Sequence, residues 1–179
     1  MAHSDPGFPH EGPEITGIQE VLTLMSGRIQ IRKAKKSDVE TLAYFNTLMA
    51  WETEGKKLSQ PVVTAGVENL LSQPEYGFYL LAEIEGEVAG ALMLTSEWSD
   101  WRNGLFWWIQ SVYVRPEYRR QGVFKSLYQH AERLARQQPA VCGLRLYVDR
   151  QNHAAQRTYQ SMGMEATNYD LYEIEFGVN

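Results

Sequence analysis

Cysteine is almost absent: Cys142 stands alone in a chain of 179 residues. One thiol cannot close an internal disulfide, so a reducing compartment is expected, with Cys142 itself as a small core residue. Long apolar runs are missing as well. None approaches the roughly 18 residues that a membrane span needs. The N-terminus has no charged stretch followed by an apolar core, which excludes a signal peptide and leaves the cytoplasm as the default. Positive charge is not in excess. The net charge of −5 disfavours nucleic acid as a partner, because such proteins present a basic surface. Histidine is scarce, and His3 and His10 have no further ligand spaced to join them, so no metal site is expected. Internal repeats and low-complexity segments are lacking too.

What is present suffices for one packed domain. Hydrophobic residues make up 44% of the chain, far from the composition of disordered proteins. Residues 1–27 read as an arm rich in proline and glycine with a short helix over 15–25. Residues 28–179 read as the domain. Its first strand alternates around Ile29 and Ile31. Ser37 with Glu40 predicts a capping box that starts a helix through Leu42, Phe45, Leu48 and Met49. Pro61 suits the entry of a second helix with the stripe Val63, Val67, Leu70 and Leu71. Phe78 to Ile84 and Val88 to Thr95 read as a hairpin about Glu85-Gly86-Glu87. A further strand is marked by Leu144, Leu146 and Val148. A helix follows from Asn152, its N-cap, to Met162, with Gly163 at the C′ position. Met164 to Phe176 reads as a last pair of strands, broken near Asn168.

The stretch that organises the rest runs from Ile109 to Arg136. Its opening, Ile109 to Val114, is rich in β-formers and is closed by Pro116. A basic turn, Arg119-Arg120-Gln121-Gly122, comes next. Val123, Phe124, Leu127, Ala131, Leu134 and Ala135 then fall on one helical stripe. A helix N-terminus has backbone N–H groups without internal partners and the positive end of the dipole, so this mouth suits an anion such as a diphosphate. Gly122 would let the backbone approach it. Taken by spacing alone, the turn serves equally as a plain β-α connection with solvated arginines.

Two motifs go further. Arg119-Arg120-Gln121-Gly122-Val123-Phe124 resembles the Arg/Gln-x-x-Gly-x-Gly/Ala diphosphate loop of the GNAT superfamily of N-acetyltransferases, with Phe124 in place of the last small residue. Asn152-His153-Ala154-Ala155, followed by Tyr159 and by Gly163-Met164, is similar to the second pattern of that family, Asn-x-x-Ala-x-x-x-Tyr-x-x-x-Gly-Phe/Met. The likeness covers roughly Ile29 to Phe176. It implies an α/β (α+β) fold: a mixed, mostly antiparallel central sheet with a splayed parallel strand pair and helices on both faces. The strand before the loop would carry a bulge.

The resemblance also implies chemistry. The chain would move an acetyl group from acetyl-CoA to a primary amine of a small molecule, or of a peptide or protein. Backbone at Val112, Tyr113 and Val114 would hold pantetheine, and Arg119, Arg120, Gln121, Gly122, Val123, Phe124 and Lys125 the diphosphate. Asn152 and Ala155 would line the cofactor arm, and Tyr159 would protonate the departing sulfur. Trp51, Glu52, Trp108 and Gln110 would border the acceptor. Many relatives place a carboxylate where this chain has Gln110, which cannot take a proton at neutral pH. Glu52, Glu54 and Glu97 are then the candidate bases, or the amine arrives neutral. Trp98, Trp101, Phe106, Trp107 and Trp108 serve either packing or an aromatic acceptor pocket. A non-catalytic acyl-CoA-binding module is the alternative reading, and a homodimer is the family habit.

Overall fold

The computed structural model describes residues 29–176. The expected arm, with His3, His10 and the helix over 15–25, lies outside the described residues. Two compact units divide the chain, Met1–Arg145 and Leu146–Asn179.

In the first unit, β1 (Ile29–Lys33) leads to α1 (Val39–Glu54) and α2 (Gln60–Ser72), then to β2 (Gly77–Ile84), β3 (Glu87–Ser99) and β4 (Gly104–Val114). Helix α3 (Val123–Gln137) carries the chain on to β5 (Val141–Leu146). The strands lie in the order β1-β2-β3-β4-β5. The first three pairings are antiparallel and the last pair is parallel. Leu105 N–H bonds to Ala140 O at 2.7 Å where that pair begins.

Alternation sorts the side chains onto two faces. Leu80, Leu92, Leu94 and Ile109 are buried on one, together with Val123, Leu127, Ala131 and Ala135 of α3. Each fully buried leucine contributes about 1.5–3 kcal/mol. Tyr79, Leu81, Ala91 and Tyr113 occupy the other face and pack against Leu42, Phe45 and Val67 of the first two helices. Helices therefore cover both faces, as the family resemblance implies.

The expected hairpin is present. Glu85 and Gly86, at φ of 53° and 84°, form a two-residue turn whose backbone twist matches that of the flanking strands. Helix α2 opens on Pro61 as foreseen. No helix among the described residues is long and apolar enough to cross a membrane.

Three expectations need correction. The Ser37/Glu40 capping box does not form: a 3-10 turn, Lys36–Asp38, precedes α1. The carboxylate that matters belongs to Asp38, which accepts from Lys35 N–H at 2.6 Å and from both terminal nitrogens of Arg32 at 2.7 and 2.9 Å. Cys142 is exposed, and its Sγ bonds to Leu105 O at 3.3 Å. No strand forms in 164–176. Tyr172, Ile174 and Phe176 do alternate there, but they are 90%, 75% and 79% exposed. Alternation fixes which way side chains point and does not supply a backbone partner.

Asp38 makes the fold acid-sensitive. The Arg32 guanidinium holds its carboxyl below the usual aspartate range, against the opposing effect of burial. A folded pKa below the unfolded one contributes stability above the unfolded value of about 3.9 and loses it as pH falls further. Asp38→Asn should cost about 2 kcal/mol at neutral pH, and the variant should lose less on acidification than the wild type. Urea melts at pH 7 and pH 3 check this.

Candidate functional site

The family bulge is present in β4. Across β3, Met93 faces Gln110 and Ala91 faces Tyr113, so Ser111 and Val112 together oppose Leu92. Ser111 takes up the extra residue at φ of 46°. A bulge of this kind interrupts the ladder and re-aims backbone groups, here at the positions expected to hold pantetheine. The Tyr113 ring faces the core and packs on Phe45, with centroids 5.0 Å apart.

The loop after β4 is shaped by left-handed residues. A 3-10 turn, Pro116–Tyr118, is followed by Arg120 at φ of 61° and Gly122 at 83°. Gly122 is the N-cap of α3, no side chain caps that helix, and a Cβ built on Gly122 meets nothing within 4 Å. The first amides of α3 thus have no side-chain cap and suit anionic oxygens. Val123 is buried, so only its backbone can serve a ligand, and Phe124 packs near Tyr128. The Gln121 side chain bonds back to Glu117 O at 2.7 Å.

Arg119 is already engaged. Its Nε donates to Val114 O at 2.8 Å and its Nη2 to Glu52 at 2.6 Å. The guanidinium also lies 5.6 Å from the Tyr113 ring centre, and Tyr113 OH donates to Glu52 at 3.3 Å. Glu52, at the end of α1, therefore joins the loop to the strand. Arg120 and Lys125 form no ion pair with any described residue.

On the α1 face of β4, Phe106, Trp108 and Gln110 follow one another at every second residue. Gln110 donates to Thr95 at 2.6 Å. Trp108 Nε1 donates to Glu97, whose carboxylate also takes Arg145 Nη1 at 2.8 and 3.0 Å. Arg145 stacks 3.7 Å above Phe106. This floor is polar in its bonds and aromatic in its surface. Trp107 points to the opposite face, edge-on to Phe78. Trp98 and Trp101 are exposed. Trp51 is exposed at the end of α1, with the Lys57 ammonium 5.9 Å from its ring. Among the described residues no cluster suits a metal. A groove of about 300 Å³ between α1 and the start of β3, lined by Thr41, Tyr44, Phe45, Glu87, Val88 and Arg115, contains none of the foreseen site residues.

Sequence reasoning overlooked Asn46, Tyr79, Thr95, Ser111 and Arg145. Only Asn46 carried a signal, as an amide set among the apolar residues of α1.

In the second unit, α4 (His153–Ser161) is capped by Asn152, whose Oδ1 accepts from Ala155 N–H at 3.0 Å. Its end is closed by Gly163 N–H to Gln160 O at 3.0 Å and Met164 N–H to Tyr159 O at 3.1 Å, with Gly163 at φ of 87°. This is the double bond pattern of a glycine-terminated helix. The spacing that resembles the family pattern thus has a local cause: asparagine and glycine fix the helix that carries Ala155 and Tyr159. Burial pushes the Tyr159 phenol above its ordinary range.

Residues 40–164 match the profile of the acetyltransferase (GNAT) family. Among similar structures is that of a possible acetyltransferase from Clostridium difficile 630, with 43% identity over 84% of this chain and 99% of the other, at a TM-score of 0.78. A predicted acetyltransferase from Clostridium acetobutylicum, solved with acetyl-CoA, shares the fold at a TM-score of 0.68 and 16% identity, over 82% and 96% of the two chains. A Bacillus subtilis (strain 168) protein named "Putative ribosomal protein bS18-alanine N-acetyltransferase" is 25% identical over 141 residues, 79% of this chain and 83% of that one.

Proposed function

The chain belongs to the acetyltransferase (GNAT) family, and from that premise we propose how its own residues carry out the transfer. The activity is acetyl-CoA-dependent N-acetylation. The acceptor nitrogen attacks the thioester carbonyl, the C–N bond forms, the C–S bond breaks, the amine gives up a proton and the thiolate takes one. The observation that carries the assignment of roles is the bulge at Ser111 and Val112 leading into the uncapped end of α3.

The first amides of α3, with Arg119, Arg120 and Lys125, hold the diphosphate, and Glu52 orients Arg119. Backbone at Val112 and Val114 holds pantetheine. Tyr159 donates the proton to sulfur. The acceptor lies over Trp108 and Gln110. Glu97 and Glu52 are both tied to arginines, which supports a neutral amine, or one deprotonated through water, as the nucleophile. The acceptor is a primary amine, and the name of the Bacillus subtilis relative makes the α-amine of an alanyl peptide a first choice beside small amines. The protein acts in the cytoplasm and as a homodimer.

Acetyl-CoA at about 100 times its dissociation constant should stabilise the fold by about 2.7 kcal/mol. A panel of small amines and alanyl peptides, read by free thiol release, should then yield turnover with at least one member. No thermal shift, or a shift with no thiol release from any amine, would overturn the reading; the second result would leave an acyl-CoA-binding module.

A further inference from the structure

Arg145 of β5 uses only part of its guanidinium. One nitrogen, Nη1, bonds to both oxygens of Glu97 on β3, at 2.8 and 3.0 Å. A guanidinium carries five N–H donors in a rigid fork, and Nη2 and Nε of Arg145 bond to no described residue. The plane of the fork is fixed by its neighbours. Its central carbon lies 3.7 Å from the Phe106 ring centre and 5.8 Å from that of Trp108, and the side chain is 34% exposed. Glu97 in turn holds Trp108 Nε1. One edge of Arg145 is thus used for positioning, and the other remains as a pair of aligned donors suited to a carboxylate.

A second cation stands beside it. Arg102, in the 3-10 turn Asp100–Arg102 between β3 and β4, lies 5.1 Å from the same Phe106 ring and pairs with no described carboxylate. Asp100 of that turn accepts from the Trp101 amide at 2.9 Å. About the Phe106 ring, then, two guanidiniums stand against the one carboxylate of Glu97. At the other end of the strip, Gln110 donates its amide nitrogen to Thr95 at 2.6 Å, which leaves its carbonyl oxygen to accept an N–H. Phe106, Trp108 and Gln110 follow at every second residue of β4. At a rise of about 3.3 Å per residue, the open edge of Arg145 lies roughly 7–13 Å from Gln110. A free α-amino acid is too short to touch both ends.

We propose that Arg145 determines acceptor specificity, and that the acceptor is an extended molecule with a carboxylate two to four residue lengths from its amine, as at the N-terminus of a short acidic peptide. The amine donates to Gln110, the chain lies along Trp108, and the carboxylate takes the Nη2 and Nε edge of Arg145 with Arg102 beside it. This rests on the reading above that the acceptor lies over Trp108 and Gln110.

Thiol release from acetyl-CoA with amidated Ala-Ala-Asp, Ala-Ala-Asn and Ala-Ala-Lys peptides tests it, with ε-aminocaproate against hexylamine as the small-molecule pair. The aspartyl peptide should exceed the asparaginyl one in kcat/KM by about tenfold or more, as bonds between charged groups imply, and the lysyl peptide should be poorest. Acid preference confined to the small pair would assign the carboxylate to a small acceptor, with Arg145 in the same role. Arg145→Gln should bring the acid-to-neutral ratio to within about twofold of one, and Arg145→Lys, which keeps the charge and loses the fork, should retain only part of it. No acid preference in either pair, or a wild-type ratio kept by Arg145→Gln, would overturn the proposal. Should that variant not fold, the wild-type ratio and Arg145→Lys still decide it. A wild type that releases no thiol with any acceptor would overturn the functional reading instead. Calorimetric titration of its coenzyme A complex with the aspartyl and asparaginyl peptides would then decide whether Arg145 reads a carboxylate.

Discussion

Tyr159→Phe should lower kcat by about two orders of magnitude, the usual range for a general acid, while the thermal shift produced by acetyl-CoA stays as in the wild type. The substitution deletes one oxygen and leaves the ring, so packing on α4 and the caps at Asn152 and Gly163 persist. A departing thiolate is a stable anion, but a proton delivered as the C–S bond breaks prevents its return. Burial raises the Tyr159 pKa. A raised value keeps the phenol protonated beyond the ordinary tyrosine range near pH 10, so wild-type kcat should show no alkaline fall from this group below that pH. Steady-state kinetics from pH 6 to pH 10 decide it, and turnover unchanged in the variant removes Tyr159 from the mechanism.

Gly122→Asn should abolish tight cofactor binding while sparing the fold. Gly122 sits at φ of 83°, with open space where a Cβ would be. Asparagine is among the few residues that tolerate this conformation, so strain is small and the melting temperature should hold within a few degrees. Its side chain, however, would stand before the first amides of α3. Loss of bonds there should raise the dissociation constant of acetyl-CoA roughly thirtyfold, about 2 kcal/mol. Gly122→Val would fail on both counts, because a branched residue at positive φ is strained. Calorimetric titration of both variants separates backbone strain from blockage; an asparagine variant that binds as tightly as the wild type would place the diphosphate elsewhere.

The features that local chemistry decides were legible in the sequence. Pro116 ends β4, the stripe from Val123 to Ala135 becomes the buried side of α3, Glu85-Gly86 turns the hairpin, and Gly163 closes α4. Features that depend on remote partners were not. Ser37 and Glu40 have the right spacing for a cap, yet Asp38 wins because Arg32 from β1 is close enough to bind it. The bulge was implied by family likeness, but no residue type at 111 announces it. Glu52 pairs with an arginine 67 residues away, which no local pattern encodes. In 164–176 the alternation was real and the ladder was absent.

The Glu52–Arg119 ion pair has a consequence for how salt acts on the protein. Its side chains are 37% and 44% exposed, so dissolved ions reach them, and at about 0.15 M the screening length is only about 8 Å. Added salt weakens the pull of the loop on a polyanion, but it also loosens the carboxylate that competes for the same guanidinium. The two effects oppose each other. If the three cations hold the diphosphate as proposed, ionic strength should change that grip less steeply than their number would suggest, with Glu52 as a built-in counterion.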